Sequence, residues 1–276
     1  MGLEVLAFPS QRAGICNDQC MRPAAEFAFL DWPGPIAFAH RGDSTSAPEN
    51  TMAAFEAAVS LGFSYLETDV RATSDGKLVV FHDERLGDNS GTHGTVEQLP
   101  WHEVNRARVG GREPIPLMED LLQAWPNARF NIDPKSDAAV EPLIAAIRRC
   151  NAIDRVCIGS FSQQRITATK AALGEKLCTS MGPASGGKLL VGARLRLNLS
   201  FDAPCAQLPA RLGSLTVCNL GLIAYAHARG VRVHAWTVND ADDMTALLDA
   251  GIDGIMTDSL RLLRATLMQR GQWFQS

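Results

Sequence analysis

The 276-residue sequence lacks an excess of positive charge, because 26 lysines and arginines are outnumbered by 30 aspartates and glutamates and the formal net charge is −4. Proteins that bind the phosphate backbone of nucleic acids need clustered basic residues, so we predict no nucleic-acid partner. No stretch approaches the ~18 to 20 uninterrupted apolar residues of a membrane span, and we predict no stable membrane insertion. The first residues lack the basic and apolar segments of a secretory signal. We therefore expect a cytoplasmic protein.

The seven cysteines form no CxxC pair, the spacing that is typical of zinc sites and redox motifs. Cys157, Cys178 and Cys205 lie in or beside apolar runs, which favours buried, reduced thiols. Cys16 and Cys20 are close enough along the chain to pair or to share a metal. Because no second pair of ligands accompanies them, we favour separate thiols here as well.

Apolar residues make up 46% of the chain, which is normal for a folded protein with a full core. The length suits one large barrel domain or two small domains. Three apolar runs of strand length end in acid–base or carboxylate residues: 36–39 before His40, 64–66 before Glu67, and 78–81 before His82. Polar groups collected at the carboxyl ends of parallel strands are typical of the active-site face of a β/α barrel.

Strands and amphipathic helices alternate again from about residue 117 to residue 268. The least regular stretch is 195–217, where we place a strand at 205–208. Together with the first two units this gives eight β/α units, so we predict an α/β protein with a (β/α)8 TIM barrel over residues 36–268. Residues 1–35 form an N-terminal extension, expected to pack across the bottom of the barrel. The glycine-punctuated stretch 84–116 is predicted to be a small insertion after the second barrel unit, over the barrel mouth.

His40 and His82 each end an apolar run and have a charged residue beside them. One such histidine is more often structural, but two at matching strand ends favour acid–base chemistry. Hydrolysis needs a base for the attacking group and an acid for the leaving group, and imidazole suits both roles. We predict that both histidines are catalytic, and the sequence leaves open which is the acid and which is the base.

Glu67 and Asp69 are two residues apart on one predicted strand, so their side chains share a face. Two buried like charges are costly unless a cation lies between them, and Asp133, at the end of another strand, can add a third oxygen. Carboxylate ligands suit a hard divalent cation, Mg²⁺ or Ca²⁺. We therefore predict a metal site formed by Glu67, Asp69 and Asp133.

Other polar and aromatic residues near these strand ends are predicted to bind substrate. The planar guanidinium of Arg41 suits a phosphate, although a structural ion pair with Asp83 or Asp258 is the alternative. Phe161 and Trp236 could wall the pocket or simply pack in the core. We expect Asp83 and Asp258 to hold loops in place rather than to react.

Several of these residues fall in ordered sequence fragments, which resemble the signature of the glycerophosphodiester phosphodiesterase family: His40-Arg41-Gly42, Pro48-Glu49-Asn50-Thr51, Glu67-x-Asp69, His82-Asp83, Phe130-Asn131-Ile132-Asp133-Pro134-Lys135, Gly159-Ser160-Phe161, Trp236-Thr237-Val238-Asn239 and Gly254-Ile255-Met256-Thr257-Asp258. The likeness extends over about residues 36–263. It implies the barrel fold, an insertion that helps to hold substrate, and hydrolysis of a small glycerophosphodiester to glycerol 3-phosphate and an alcohol. It also implies a lysine near the phosphate, at the position of Lys135. The family usually has Glu where this chain has Asp133.

Two rival functions remain open at this stage. The same chemistry could act on lysophospholipids, as in a lysophospholipase D, which an apolar barrel mouth would favour. The barrel could instead be catalytically silent and serve as a binding module, which the presence of both histidines and of the Glu67/Asp69 pair disfavours. The sequence does not indicate the alcohol that is released or the oligomeric state.

Overall fold

Eight short apolar segments pair side by side as parallel strands in the computed structural model, which describes residues 26–87 and 91–275. The strands are β1 (Ile36–His40), β2 (Tyr65–Ala72), β3 (Arg129–Pro134), β4 (Val156–Ile158), β5 (Cys178–Thr179), β6 (Cys205–Pro209), β7 (Arg232–Trp236) and β8 (Gly254–Thr257). Their order in the sheet is β5-β4-β3-β2-β1-β8-β7-β6. A single parallel bridge between Ser180 and Cys205 joins the two ends of the sheet. The predicted (β/α)8 barrel is confirmed, including the strand expected at 205–208.

A helix follows each strand and covers the outside of the barrel. The eight are α1 (Met52–Ser60), α2 (Met118–Ala124), α3 (Val140–Arg149), α4 (Gln163–Leu173), α5 (Pro183–Leu195), α6 (Leu220–His227), α7 (Ala241–Asp249) and α8 (Leu260–Gln269). Several begin where a side chain accepts a backbone N–H, as Asp240 does at the start of α7. Single 3-10 turns occur at Ala28–Leu30, Val96–Gln98, Asp137–Ala139 and Ile153–Arg155. Within the described part of the chain, no helix has the length and apolar character needed to cross a membrane.

The lower interior of the barrel is apolar and is closed from below by the segment that precedes β1. Phe29 is buried there against the rings of Phe38 and Tyr65, with centroids 6.4 and 5.2 Å away. The Tyr65 hydroxyl donates a hydrogen bond of 2.7 Å to the Phe29 carbonyl. Phe27 and Leu30 belong to the same buried cluster. The end of the N-terminal extension therefore forms the floor of the barrel.

A hairpin interrupts the regular alternation after β2. The strand Leu78–Val80 runs antiparallel to the last three residues of β2, which continue beyond the barrel wall. The chain then forms the segment 84–116, with two small ladders (Arg85–Leu86 with Gly94–Thr95, and Arg108–Val109 with Glu113–Pro114) and a four-residue helix, Trp101–Val104. Within this segment only residues 97–106 have helical character in the sequence, and the helix that forms is shorter. The segment lies between β2 and α2 and has its own small apolar core, which includes Val79, Leu86, Val96 and Ile115.

We predict that Phe29→Ala lowers the free energy of unfolding by about 3–5 kcal/mol, because a fully buried ring is removed and a cavity is left. Urea denaturation followed by fluorescence or circular dichroism measures the change. Leu220→Ala is the matched control, since Leu220 is 66% exposed at the start of α6, and it should change stability by less than about 0.5 kcal/mol. A loss below about 1 kcal/mol for Phe29→Ala would contradict a packed floor.

Candidate active site

The predicted site residues meet at the carboxyl-terminal edge of the first three strands. In the parallel register His40 is the Cα partner of Glu67, and Asp69 is the partner of Asp133. Side chains of alternate residues point to the same face of a strand, so Glu67 and Asp69 both face the barrel interior. The register therefore places His40 beside Glu67 and, two residues further along β2, Asp69 beside Asp133.

Asp69 is surrounded by groups that neutralise it. Lys135 Nζ lies 2.7 Å from one carboxylate oxygen, and Arg41 Nε lies 2.9 Å from the other. The second oxygen also accepts a hydrogen bond of 3.1 Å from the Asn50 side-chain amide. Burial alone would raise the pKa of Asp69, but the charges of Lys135 and Arg41 hold the pKa below its usual range.

Lys135 also connects Asp69 with the third predicted metal ligand. Its Nζ lies 2.7 Å from an oxygen of Asp133, the same distance as from Asp69. Burial raises the pKa of Asp133, although the ammonium group of Lys135 acts in the opposite direction. A cationic group thus occupies the place between these two carboxylates.

Glu67 is the one carboxylate of the three that lacks a close cation. It is buried, and its Oε2 atom has no hydrogen-bond partner; the nearest charged group is His40 Nε2, at 3.7 Å. Burial, followed by repulsion from Asp69, raises the pKa of Glu67 to about 8. The side chain is therefore an unsatisfied oxygen donor that faces an ionisable imidazole.

A carboxylate holds the imidazole of His40 in a fixed orientation. Its Nδ1 atom lies 2.6 Å from Asp258, and the second oxygen of Asp258 accepts a 2.9 Å hydrogen bond from Asn239. Burial lowers the pKa of His40, but the hydrogen bond to Asp258 and the charge of Glu67 more than compensate, so the pKa lies above its usual value. The Nε2 atom is left to face the site. Asp258, expected to hold a loop, thus also positions a predicted catalytic group.

The turn after β1 has unusual backbone geometry. Arg41 and Asn50 both have φ of 56°, in the left-handed region that costs non-glycine residues about 1–3 kcal/mol. The turn is held by backbone hydrogen bonds from Arg41 to the Glu67 carbonyl (3.0 Å) and from Asn50 to the Arg41 carbonyl (2.9 Å). Gly42 is required between them, because a Cβ atom there would lie 2.6 Å from the Ala54 backbone. The strained turn directs two polar side chains toward Asp69.

Arg41 pairs with different carboxylates from those that the sequence suggested. Its Nη1 donates a 2.9 Å hydrogen bond to Glu49, and its Nε contacts Asp69, whereas Asp83 and Asp258 were the expected structural partners. The left-handed turn is the reason, since it points the side chain along β2. One guanidinium thus joins the turn, the loop before α1 and the buried strand.

His82 reaches the same edge from a strand that lies outside the eight barrel strands. It does not end a barrel strand that matches β1; it follows the antiparallel hairpin strand, which returns the chain to the level of Asp69. The backbone N–H of Phe81 donates to the Asp69 carbonyl at 3.0 Å, and Arg71 Nε donates to the His82 carbonyl at 2.9 Å. The imidazole Nδ1 lies 2.8 Å from Asp83. Its charge acts on Asp69 and helps to lower the pKa of that carboxyl.

The two predicted aromatic residues form one side of the mouth. Phe161 follows β4 and Trp236 ends β7, and their rings make an edge-to-face contact with centroids 5.8 Å apart. Because Phe161 is 71% exposed, core packing does not account for it. Below them the Gln207 amide donates a 2.7 Å hydrogen bond to Asn131 across the interior.

Several of these polar residues were not assigned to the site from the sequence. By residue type Asn50 is a fair N-cap for α1, but Thr51 accepts the helix N–H at 3.3 Å, and Asn50 instead joins Asp69 to Thr68. Asn239 and the Asn131–Gln207 pair were also missed. A signal existed for Asn239 and Asn131, because both lie in fragments that carry the family resemblance.

The three predicted metal ligands do not converge on one point in this arrangement. Within residues 26–87 and 91–275 their oxygens are not all within 4.8 Å of one another, because Lys135 lies between Asp69 and Asp133. The buried, unpaired oxygen of Glu67, two residues from Asp69, is nevertheless the donor expected at the edge of a cation site. The oxygen-only donor set fits a hard divalent ion and would not suit a soft one.

Comparison with protein-family models and known proteins identifies the family of this chain. The model of the glycerophosphoryl diester phosphodiesterase family matches residues 40–262, which include every predicted site residue. The chain belongs to the glycerophosphoryl diester phosphodiesterase family. Membership confirms the resemblance seen in the sequence and the prediction of an enzyme of the glycerophosphodiester phosphodiesterase class.

Relatives of this phosphodiesterase family match over most of their length. The chain is 45% identical over 254 residues to the probable glycerophosphodiester phosphodiesterase 2 of Mycobacterium tuberculosis, covering 89% of this chain and 95% of the relative. A crystal structure from Silicibacter pomeroyi has a TM-score of 0.75 at 22% identity and covers 90% of this chain and 100% of that one. An Oleispira antarctica phosphodiesterase, crystallised with sn-glycerol-3-phosphate, has a TM-score of 0.69 at 23% identity, with 85% and 97% coverage. These two structures support the fold.

We predict that the metal-free phosphodiesterase loses stability as pH rises between the usual pKa of a glutamate and about 8. Because the folded-state pKa of Glu67 is raised, the native protein keeps a proton that the unfolded chain has released. The free energy of unfolding should then fall by up to about 1.4 kcal/mol per pH unit from this group. Urea denaturation in a chelator at several pH values measures the slope.

Glu67→Gln should flatten this slope, because glutamine is neutral at every pH. Glu56→Gln, at an exposed position of α1, is the matched control and should keep the slope. Equal slopes in the wild-type protein and in Glu67→Gln would show that Glu67 is not the group that titrates.

Proposed function

We propose that the protein hydrolyses glycerophosphodiesters to glycerol 3-phosphate and an alcohol, using a divalent cation and the two histidines His40 and His82. The observation that carries this proposal is the fixed His40 imidazole beside the unpaired Glu67 oxygen, at the mouth of a family barrel. The sn-glycerol-3-phosphate in the Oleispira antarctica phosphodiesterase supports the same product here.

Charge at the mouth is arranged for an anionic phosphodiester. Arg41 and Lys135 both contact Asp69 and are partly exposed at the site edge. A phosphate can accept hydrogen bonds from both groups. Phe161 and Trp236 lie on the opposite side of the mouth and offer a surface for the glycerol or the alcohol group. These four residues bind and orient the substrate.

The two histidines divide the proton transfers between them. The Nδ1 atom of His40 is held by Asp258, so Nε2 is the atom that exchanges a proton with substrate or product. His82 is held through Nδ1 by Asp83 in the same manner, and its Nε2 is likewise free for this role. One histidine removes a proton from the attacking group, and the other protonates the leaving alkoxide.

We infer that Glu67, Asp69 and Asp133 hold the cation, Mg²⁺ or Ca²⁺. When bound, the ion supplies positive charge that neutralises the phosphate and stabilises the negative charge of the transition state. Glu67 gains the partner that its buried oxygen lacks. Asp133 is shorter than the usual family glutamate and is held by Lys135, so it is the ligand that most needs an experimental test.

We predict that the purified protein releases glycerol 3-phosphate from glycerophosphocholine, that a chelator abolishes turnover, and that Mg²⁺ or Ca²⁺ restores it. His40→Ala and His82→Ala should each lower kcat by ~10²- to 10⁴-fold, the usual loss for a proton-transfer group. A coupled assay of glycerol 3-phosphate measures the rates, and circular dichroism verifies folding. His102→Ala, on the exposed insertion helix, is the control.

Full activity in chelator-treated, metal-free protein would overturn the cation site. Near-normal turnover in a folded histidine variant would remove that residue from the mechanism. Asp133→Asn separates two possibilities for the cation site. A loss equal to that of Glu67→Gln supports direct binding of the ion by Asp133, and a mild effect assigns Asp133 to the positioning of Lys135.

A lysophospholipid is a second candidate substrate, because the mouth carries exposed apolar residues outside the insertion. The loop after β6 forms a small hairpin with Leu212 56% exposed and Leu215 65% exposed. Arg211 anchors it to Asp243 of α7 at 2.9 Å. Phe161 adds a third exposed apolar side chain at the same end of the barrel. An acyl chain would have apolar contacts here that a small headgroup does not need.

If the hairpin binds an acyl chain, Leu212→Ser with Leu215→Ser should raise KM for lysophosphatidylcholine and leave KM for glycerophosphocholine unchanged. Release of choline from both substrates measures the difference. Leu195→Ser is the matched control, since Leu195 is 61% exposed at the carboxyl-terminal end of α5, the end that leads into β6 and lies away from the mouth. An equal KM for lysophosphatidylcholine before and after the double substitution would show that the hairpin does not bind the acyl chain.

A further inference from the structure

Three cysteine thiols meet inside the barrel, below the catalytic edge. Cys157, Cys178 and Cys205 lie on the neighbouring strands β4, β5 and β6, and all three are buried. Their sulfur atoms lie within 4.8 Å of one another, and those of Cys157 and Cys205 are 4.0 Å apart. None is in a disulfide, and a disulfide bond would need a separation of about 2.05 Å.

This spacing matches a tetrahedral site for a thiophilic metal. Zinc–sulfur bonds of about 2.3 Å at tetrahedral angles place neighbouring sulfurs ~3.8 Å apart. The observed separation of Cys157 and Cys205 therefore needs only a small adjustment.

A second polar group in the same interior lacks a partner. His234 on β7, the strand next to β6, is completely buried, and neither ring nitrogen has a hydrogen-bond partner. An unsatisfied buried donor or acceptor costs about 1–3 kcal/mol. The His234 ring packs against Phe38, with centroids 5.1 Å apart, and Phe38 belongs to the same buried cluster as the three cysteines.

The thiols also lie at the weakest seam of the barrel. Strand β5 has two residues, and β5 and β6 are joined by the single bridge between Ser180 and Cys205. By comparison, β6 and β7 pair over five residues. A metal ion bound by all three sulfurs would link β4, β5 and β6 across this seam. The apolar floor at Phe27, Phe29 and Leu30 would shield the ion from water below.

We propose that Cys157, Cys178 and Cys205 bind one thiophilic divalent metal ion of the Zn²⁺ class, which fastens the β5–β6 seam. Binding releases the thiol protons, so that three thiolates surround a divalent ion and one net negative charge remains. A monovalent ion would leave two negative charges in an apolar interior, which is less favourable. Zinc takes a fourth ligand, and His234 is the buried nitrogen donor on the adjacent strand. This site is separate from the carboxylates at the mouth, which suit hard ions.

Refolding of the full-length chain from denaturant with Co²⁺ under reducing conditions tests the proposal. Co²⁺ bound by thiolates gives near-ultraviolet charge-transfer absorption that carboxylate ligands do not give. We expect one equivalent of Co²⁺ to produce this band, and Zn²⁺ to displace it. Protein refolded with Zn²⁺ should also melt at a higher temperature than protein refolded in chelator. The thermal shift is measured on the wild-type chain, so it does not depend on whether a variant folds.

Matched variants identify the ligands. Cys178→Ser and Cys157→Ser should lose the band and the thermal shift, whereas Cys218→Ser should retain both, because Cys218 is buried outside the group and contacts the Pro209 carbonyl. A double variant, Glu67→Gln with Asp69→Asn, should also retain the band, which separates the thiol site from the catalytic cation. Absence of a thiolate band in refolded wild-type protein, or its persistence in Cys178→Ser, would overturn the proposal.

Discussion

The structure depends on the need to neutralise two carboxylates that share one face of a buried strand. Glu67 and Asp69 cannot both remain charged in the barrel interior without nearby cations. Arg41 and Lys135 contact the Asp69 carboxylate, and the strained turn after β1 directs the Arg41 side chain toward it. Glu67 receives no equivalent partner. The charge of Asp69 is therefore balanced by neighbouring cations and that of Glu67 is not, and Glu67 faces the imidazole of His40.

The barrel strands differ in the number of residues over which they pair, and the charged groups are concentrated on some of them. Strands β2 and β3 pair over six residues and carry Glu67, Asp69 and Asp133, whereas β5 contributes two residues and closes through one bridge. The region around β2 combines strained backbone with many ion pairs, which is a common arrangement at active sites. The region around β5 is apolar and contains thiols. Ion pairs around β2 and apolar packing around β5 occur in one structure because both strands belong to the same closed sheet.

Much of the fold was predictable, because the apolar runs and helix signals are local. Even β6 was found in the least regular stretch of the sequence. The pairing of side chains was not predictable to the same degree, since the partner of Asp69 is decided by the register between β2 and β3, which are far apart along the chain. Asn50 was expected to cap a helix, but a left-handed backbone turned it toward Asp69. His82 was expected at the end of an extra strand, 78–81, that follows a hairpin-type turn and lies outside the eight β/α units, and the structure pairs this strand antiparallel with β2.

The hairpin that carries His82 has an evolutionary consequence. One histidine is built into the barrel wall, and the other is attached to a segment whose own small core is distinct from that of the barrel. Insertions and deletions in segment 84–116 can therefore alter the position of His82 while the strands that hold Glu67 and Asp69 keep their shape. Changes in the length and packing of this one segment can therefore alter the substrate range while the eight barrel strands stay the same.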